Sequence, residues 1–237
     1  MGCGGDLAHE AVRLRFVMNI DQFNAADTAS DDAPFAIENS YTLAIDVDGD
    51  VMAKAGAMVA YTGEFSFTGK RSAEGGLTGI IKEAATGEGT PIMRAEGTGT
   101  LYLADAQKKV QILELAADDR ITVNGEDVLA FESELSYEVT TMDSLAGSFA
   151  GGFTNVAISG PGCVALTTHG DPLVVAPPVT TDPSATVAWS ATTPSVDVNA
   201  SLSDMVGQES GERFQMEFDD AGTDSGFVVV QPYEEHV

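Results

Sequence analysis

Apolar residues in this chain recur at every second position, and that spacing calls for strands rather than helices. Tyr41, Leu43, Ile45 and Val47 fall on one side of an extended backbone, because successive side chains of a strand point to opposite faces. Ile121 and Val123 continue the pattern, as do Leu135, Tyr137 and Val139, then Val187 and Trp189, then Phe214, Met216 and Phe218. Gly, Asp, Asn and Pro separate these runs, as turns require. Only residues 77–85, after Gly75 and Gly76, read as a short helix. The expectation is an all-β fold with few short helices.

The alternating runs also repeat as larger blocks. Gly87–Leu103, Gly151–Leu166 and Gly211–Val230 each read as a glycine, a strand, a glycine-rich turn and a second strand. Their lead-ins are alike, and upstream of each lies a shared strand pattern: Val51-Met-Ala53, Val128-Leu-Ala130 and Val187-Ala-Trp189. The blocks lie roughly 62 residues apart, a period that marks a repeat architecture. Three pseudo-symmetric units are expected, over residues 41–104, 105–168 and 169–231, within a single β domain over 18–235. Each unit is read as a pair of hairpins exposing one apolar face, and three such faces can be buried together.

Charge limits the partners. Thirty-seven acids face 11 bases for a net charge of −26, and only Lys54, Lys70, Lys82, Lys108 and Lys109 are lysines. So acidic and lysine-poor a surface fits molar salt, where the Debye length falls to about 3 Å and the repulsion is screened. A halophilic source is expected. Nucleic-acid binding relies on phosphate neutralisation by Lys and Arg, so no nucleic-acid partner is expected. No apolar run approaches the ~20 residues that span a bilayer, so no membrane insertion is expected. Cys3 and Cys163 are too few and too distant for a disulfide framework or a metal knuckle, which suits a cytoplasmic location.

No constellation of residues declares a reaction. There is no Gly-x-Ser-x-Gly elbow, and His9, His169 and His236 are far apart, whereas a nucleophile needs a base beside it. Asp46, Asp48 and Asp50 are too short a motif for an EF-hand loop and read as a solvated strand end. His169 reads as a turn histidine, and Trp189 as a core or interface residue. Lys70/Arg71 and Lys108/Lys109 read as solvated turns. The glycine clusters near 75–89, 147–152 and 207–211 lack the strand-to-helix context of a phosphate loop and read as backbone turns. No catalytic, cofactor-binding or metal-ligating residue is therefore assigned.

Several runs carry a family likeness: Val51–Tyr61, Gly75–Gly79, Ala85–Gly89, Val128–Ser133, Thr167–Pro172 and Gly226–Pro232. In that order they resemble the family named for altered inheritance of mitochondria (member twenty-four), whose domain is similar to the tryptophan RNA-binding attenuation protein superfamily. The resemblance covers residues 18–235, and it implies a start at Met18 with residues 1–17 as a disordered upstream extension. It implies an antiparallel β-sandwich or barrel-like fold of three pseudo-symmetric repeats and a trimeric assembly. It implies little about activity and carries over neither RNA nor tryptophan binding, since no binding motif matches. The leading expectation is a non-enzymatic structural or interaction protein acting as a homo-oligomer. The alternatives are a small-ligand-binding module with a pocket between repeats or subunits, and an enzyme working with carboxylates alone.

Overall fold

A computed structural model of the chain describes residues 34–69, 92–141, 154–198, 214–219 and 226–233. The expected helix over 77–85, the segment 1–17 and Lys70/Arg71 lie outside these residues. So do Cys3, His9, His236 and the glycine clusters at 75–89, 147–152 and 207–211. Seventeen strands account for most of the described chain, and among the described residues the one helical element is a 3₁₀ turn at Pro183–Ala185. The first strands are β1 (Phe35–Asn39), β2 (Thr42–Lys54), β3 (Met58–Tyr61), β4 (Glu64–Gly69) and β5 (Ile92–Leu103). Next come β6 (Lys109–Leu115), β7 (Arg120–Asn124), β8 (Val128–Glu132), β9 (Ser136–Thr141), β10 (Thr154–Ser159) and β11 (Gly162–Thr168). Last are β12 (Leu173–Val175), β13 (Val179–Thr181), β14 (Thr186–Ser190), β15 (Pro194–Val198), β16 (Phe214–Phe218) and β17 (Phe227–Val230). Every pairing among them is antiparallel.

The strands make an eight-stranded, a six-stranded and a three-stranded sheet. The largest folds back on itself. Leu43, Ile45, Leu101 and Leu103 pack in one core with Val110, Ile112, Cys163 and Ala165, although all eight residues belong to that sheet. Its fold line crosses the long β2–β5 ladder, where Gly49 faces Gly97 and Val47 faces Gly99. Gly49 and Gly99 have φ of +130° and +138°, which only glycine adopts without strain. A Cβ at Gly97 would run into the Glu64 carbonyl, and one at Gly99 into the Thr62 carbonyl. Gly97 and Gly99, read from the sequence as a turn, thus lie inside a continuous strand and let a neighbouring chain segment approach. Gly160 and Gly162 do sit at a turn, between β10 and β11.

Four layers result, with a core in each of the three gaps. The first gap is filled around Phe35, Leu43 and Leu101, the second around Phe131, Ile158 and Phe227. The third is filled around Trp189, Met216 and Phe218. Inner strands are buried on both faces: all of Val128–Phe131 and Cys163–Thr168 is buried. The sheets are open, not closed into a barrel among the described residues.

The pairing scheme recurs along the chain. β6 pairs with β11, β7 with β10, β8 with β11 and β9 with β10. In the same order β12 pairs with β17, β13 with β16, β14 with β17 and β15 with β16. Near the N-terminus the two halves of β2 and of β5 act as two strands each, with β3 and β4 both against β5. Each stretch therefore divides its strands between two adjacent layers, where the sequence suggested hairpin pairs with a single apolar face.

Candidate functional site

The residues singled out in the sequence do not converge. Asp46, Asp48 and Asp50 lie in the middle of β2, not at a strand end, and Asp50 pairs with Arg94 at 2.6 Å. Among the described residues no three His, Cys, Asp or Glu side chains are grouped to hold a metal ion. His169 sits in the bend after β11 with its ring 4.1 Å from that of Tyr233, and its backbone N–H donates to Gln231 Oε1 at 2.8 Å. Trp189 is buried against Phe218. Cys163 is buried, and desolvation, helped by Glu132 and Glu114, pushes its thiol up to about 11. A thiol so held is protonated at neutral pH and a poor nucleophile.

Lys108 and Lys109 part company. Lys109 ion-pairs with Asp171 near the surface at 2.6 Å, and that hydrogen bond raises its pKa above the ordinary 10.5. Lys108, expected in a solvated turn, is buried instead. Its ammonium meets Asp127 Oδ1 at 3.0 Å and the Glu126 carbonyl at 3.2 Å. Close by, Lys54 donates to Asp105 Oδ2 at 2.9 Å and to the same carbonyl at 2.8 Å, while Thr167 Oγ1 donates to Asp105 at 3.3 Å. Asp105 and Lys108 close a tight turn with an N–H···O=C bond of 2.7 Å, across Ala106 and Gln107 at φ of 43° and 62°. Two non-glycine residues in the left-handed region cost about 1–2 kcal/mol each, and the ion pairs on either side of the turn hold them there. This cluster ties the first layer to the second.

The surface feature with most chemical content is a strand edge. β3, β8 and β14 occupy matching places: each pairs with a later strand with one register irregularity. Tyr61 then faces Leu101, Phe131 faces Val164, and Trp189 faces Val228. The far edge of β8 is covered by β2, and that of β14 by β7. Among the described residues β3 has no such cover. The three aromatic side chains report the difference: Phe131 and Trp189 are 0% and 6% exposed, Tyr61 45%. Met58 and Val59 beside it are 38% and 58% exposed. Tyr61 rests on Phe65 and Phe67 at ring separations of 5.4 and 5.7 Å, which gives the patch a rigid floor. Sequence likeness had set Val51–Ala53 beside Val128–Ala130, but Val51–Ala53 pairs with the end of β8, Val51 opposite Glu132, Met52 opposite Phe131 and Ala53 opposite Ala130. In the pairing scheme Met58–Tyr61 meets β5 as Val128–Phe131 meets β11. The aromatic at the end of each strand was the signal available.

Comparison with curated proteins gives no match. Among solved structures, a Streptococcus pyogenes protein known from X-ray crystallography is similar in fold, with a TM-score of 0.65 and 21% identity. The match covers 84% of this chain and 92% of that one, and at such identity it speaks for the fold alone. Within the described residues no helix is long and apolar enough to cross a membrane. The family model described as Mitochondrial biogenesis AIM24 matches residues 35–233, and the chain belongs to that family.

Proposed function

We propose that this chain is a non-enzymatic structural or interaction protein that works as a homo-oligomer, a trimer on the family resemblance, in a salt-rich cytoplasm. The observation that carries the reading is the β3 edge, uncovered among the described residues, with Met58, Val59 and Tyr61 exposed on it. An uncovered strand edge with apolar side chains templates pairing with another chain. Burying such a side chain fully contributes about 1.5–3 kcal/mol. The architecture is read as three units, over 41–104, 105–168 and 169–231, on the strength of the recurring pairing scheme. The net charge of −26 argues against nucleic acid as the partner. It also opposes self-association at low salt, so assembly is expected to strengthen in molar salt. Light scattering in molar potassium chloride tests this: a mass of several chains is expected, and a mass of one chain sinks the reading.

A further inference from the structure

Resting on that homo-oligomeric reading, we propose that the β3 edge is completed by the β13 edge of a second copy, so that copies join head to tail. Two seams inside the chain set the rule. In the first, Met52 of β2 lies opposite Phe131 of β8, and Ala53 opposite Ala130. In the second, Thr122 of β7 lies opposite Trp189 of β14, and Val123 opposite Ala188. In both, the strand just before a tight turn in one unit borders the strand just after the corresponding turn in the next unit.

The turns match as well. Ala57, Asp127 and Ala185 donate their backbone N–H groups to the carbonyls of Lys54, Asn124 and Asp182. Their own carbonyls accept from the N–H groups of Ala104, Thr167 and Gln231. By this alignment β13 is the counterpart of β7 and of the second half of β2. It pairs only with β16 among the described residues. Among the described residues, one end of the stack therefore offers β3 without its neighbour, and the other offers β13 without its neighbour.

The rule also fixes the register. Thr181 precedes Asp182 as Ala53 precedes Lys54 and Val123 precedes Asn124, so Thr180 of one copy falls opposite Tyr61 of the next, and Thr181 opposite Ala60. Thr180 is exposed, as Tyr61 is. Joining the three-stranded sheet β15–β16–β13 to β3, β5 and β2 gives six strands in the order seen in the six-stranded sheet β9–β10–β7–β14–β17–β12. Different edges meet in this contact, so it propagates in one direction, closing a ring or running on as a fibre, instead of stopping at a two-fold dimer.

Cysteine cross-linking tests the register, because directly opposed residues bring their Cβ atoms within about 4.5–5.5 Å. In a Cys3→Ser background, Tyr61→Cys and Thr180→Cys are purified separately, checked by melting, and oxidised alone and mixed in molar potassium chloride. Disulfide-linked dimers are expected from the mixture and from neither variant alone. The double variant should give a ladder of linked chains. Cross-linking of Tyr61→Cys with itself would overturn the proposal in favour of a two-fold edge contact. A bond formed only within one chain of the double variant would overturn it in favour of intramolecular closure. No cross-link, with an oligomeric mass by light scattering, ends the proposal and leaves the homo-oligomeric reading standing. A single-chain mass ends both.

Discussion

The two junctions where β2 meets β8 and β7 meets β14 are built on one backbone plan with opposite chemistry. At the first, Lys54 and Lys108 meet Asp105, Asp127 and the Glu126 carbonyl, and the side chains of Lys108 and Asp127 are 5% and 1% exposed. At the second, the places of Lys54 and Asp127 are held by Asn124 and Ala185, and the contacts are neutral. Asn124 Nδ2 donates to the Thr186 carbonyl at 3.3 Å, Thr181 and Thr186 share a hydroxyl contact at 2.7 Å, and Gln231 accepts from His169. Backbone hydrogen bonds suffice to set the geometry of both. The charged side chains add a dependence on each partner that the neutral ones lack. In a chain with 37 acids and five lysines, two lysines are committed to the interior, where salt screens them least.

Removing one partner of the buried pair should have the largest effect. Asp127→Ala leaves the Lys108 ammonium enclosed without its carboxylate, and breaking a buried pair from one side costs about 3–5 kcal/mol. Urea unfolding in molar salt reads this as a lower midpoint at unchanged slope. Replacing both partners, as Lys108→Met with Asp127→Leu, should recover most of the loss, because the desolvation penalty goes with the charges. If the double variant is as unstable as the single one, packing rather than charge distinguishes the junctions.

The neutral junction should respond less. Asn124→Ala loses the bond to the Thr186 carbonyl and the one its Oδ1 accepts from the Glu126 N–H at 3.1 Å. Net hydrogen bonds of this kind contribute about 0.5–1.5 kcal/mol each. Asn124 is only part-buried, so water replaces part of what is lost. The expected loss is about 1 kcal/mol in the same urea titration. A loss matching that of Asp127→Ala would erase the contrast between the two junctions.

How far this could be read in advance depended on the kind of signal. Alternation exposed the strands because period two survives in any half-buried sheet: Leu43, Ile45 and Val47 are all buried, as are Ile121 and Val123. The family likeness was legible in ordered motifs, and the family model overlies them. The layering was not legible, because it depends on pairings between distant segments such as Ala53 with Ala130. The fold line at Gly97 and Gly99 looked like a turn because glycine serves both purposes. Lys108 was misread for a different reason. Lys108-Lys109 after Asp105 has the composition of a solvated turn, and only the three-dimensional placement of Asp127 draws one lysine inward and leaves its neighbour at the surface. The edge patch hid in plain view: Tyr61, Phe131 and Trp189 share a place, but no periodicity says which of them keeps a covered edge.

The smallest effect separates those adjacent lysines. Lys109 holds Asp171 at 2.6 Å, shorter than the 3.0 Å from Lys108 to Asp127 Oδ1, so distance alone would rank it first. Exposure reverses the order. An exposed pair is screened by water and salt and contributes little, whereas Lys108 has no water to return to. The pKa of Lys109 is raised by its partner, so whatever it adds is fully present below the ordinary lysine value of 10.5 and is lost only as pH rises through the higher folded value. A neutral-pH melt therefore samples the whole of its contribution. Lys109→Ala should melt with the parent in molar salt at neutral pH, and should fall below it only at low salt, where one further unit of net negative charge is felt. A drop in molar salt comparable to that of Asp127→Ala would show that contact distance, not burial, sets the strength of this junction.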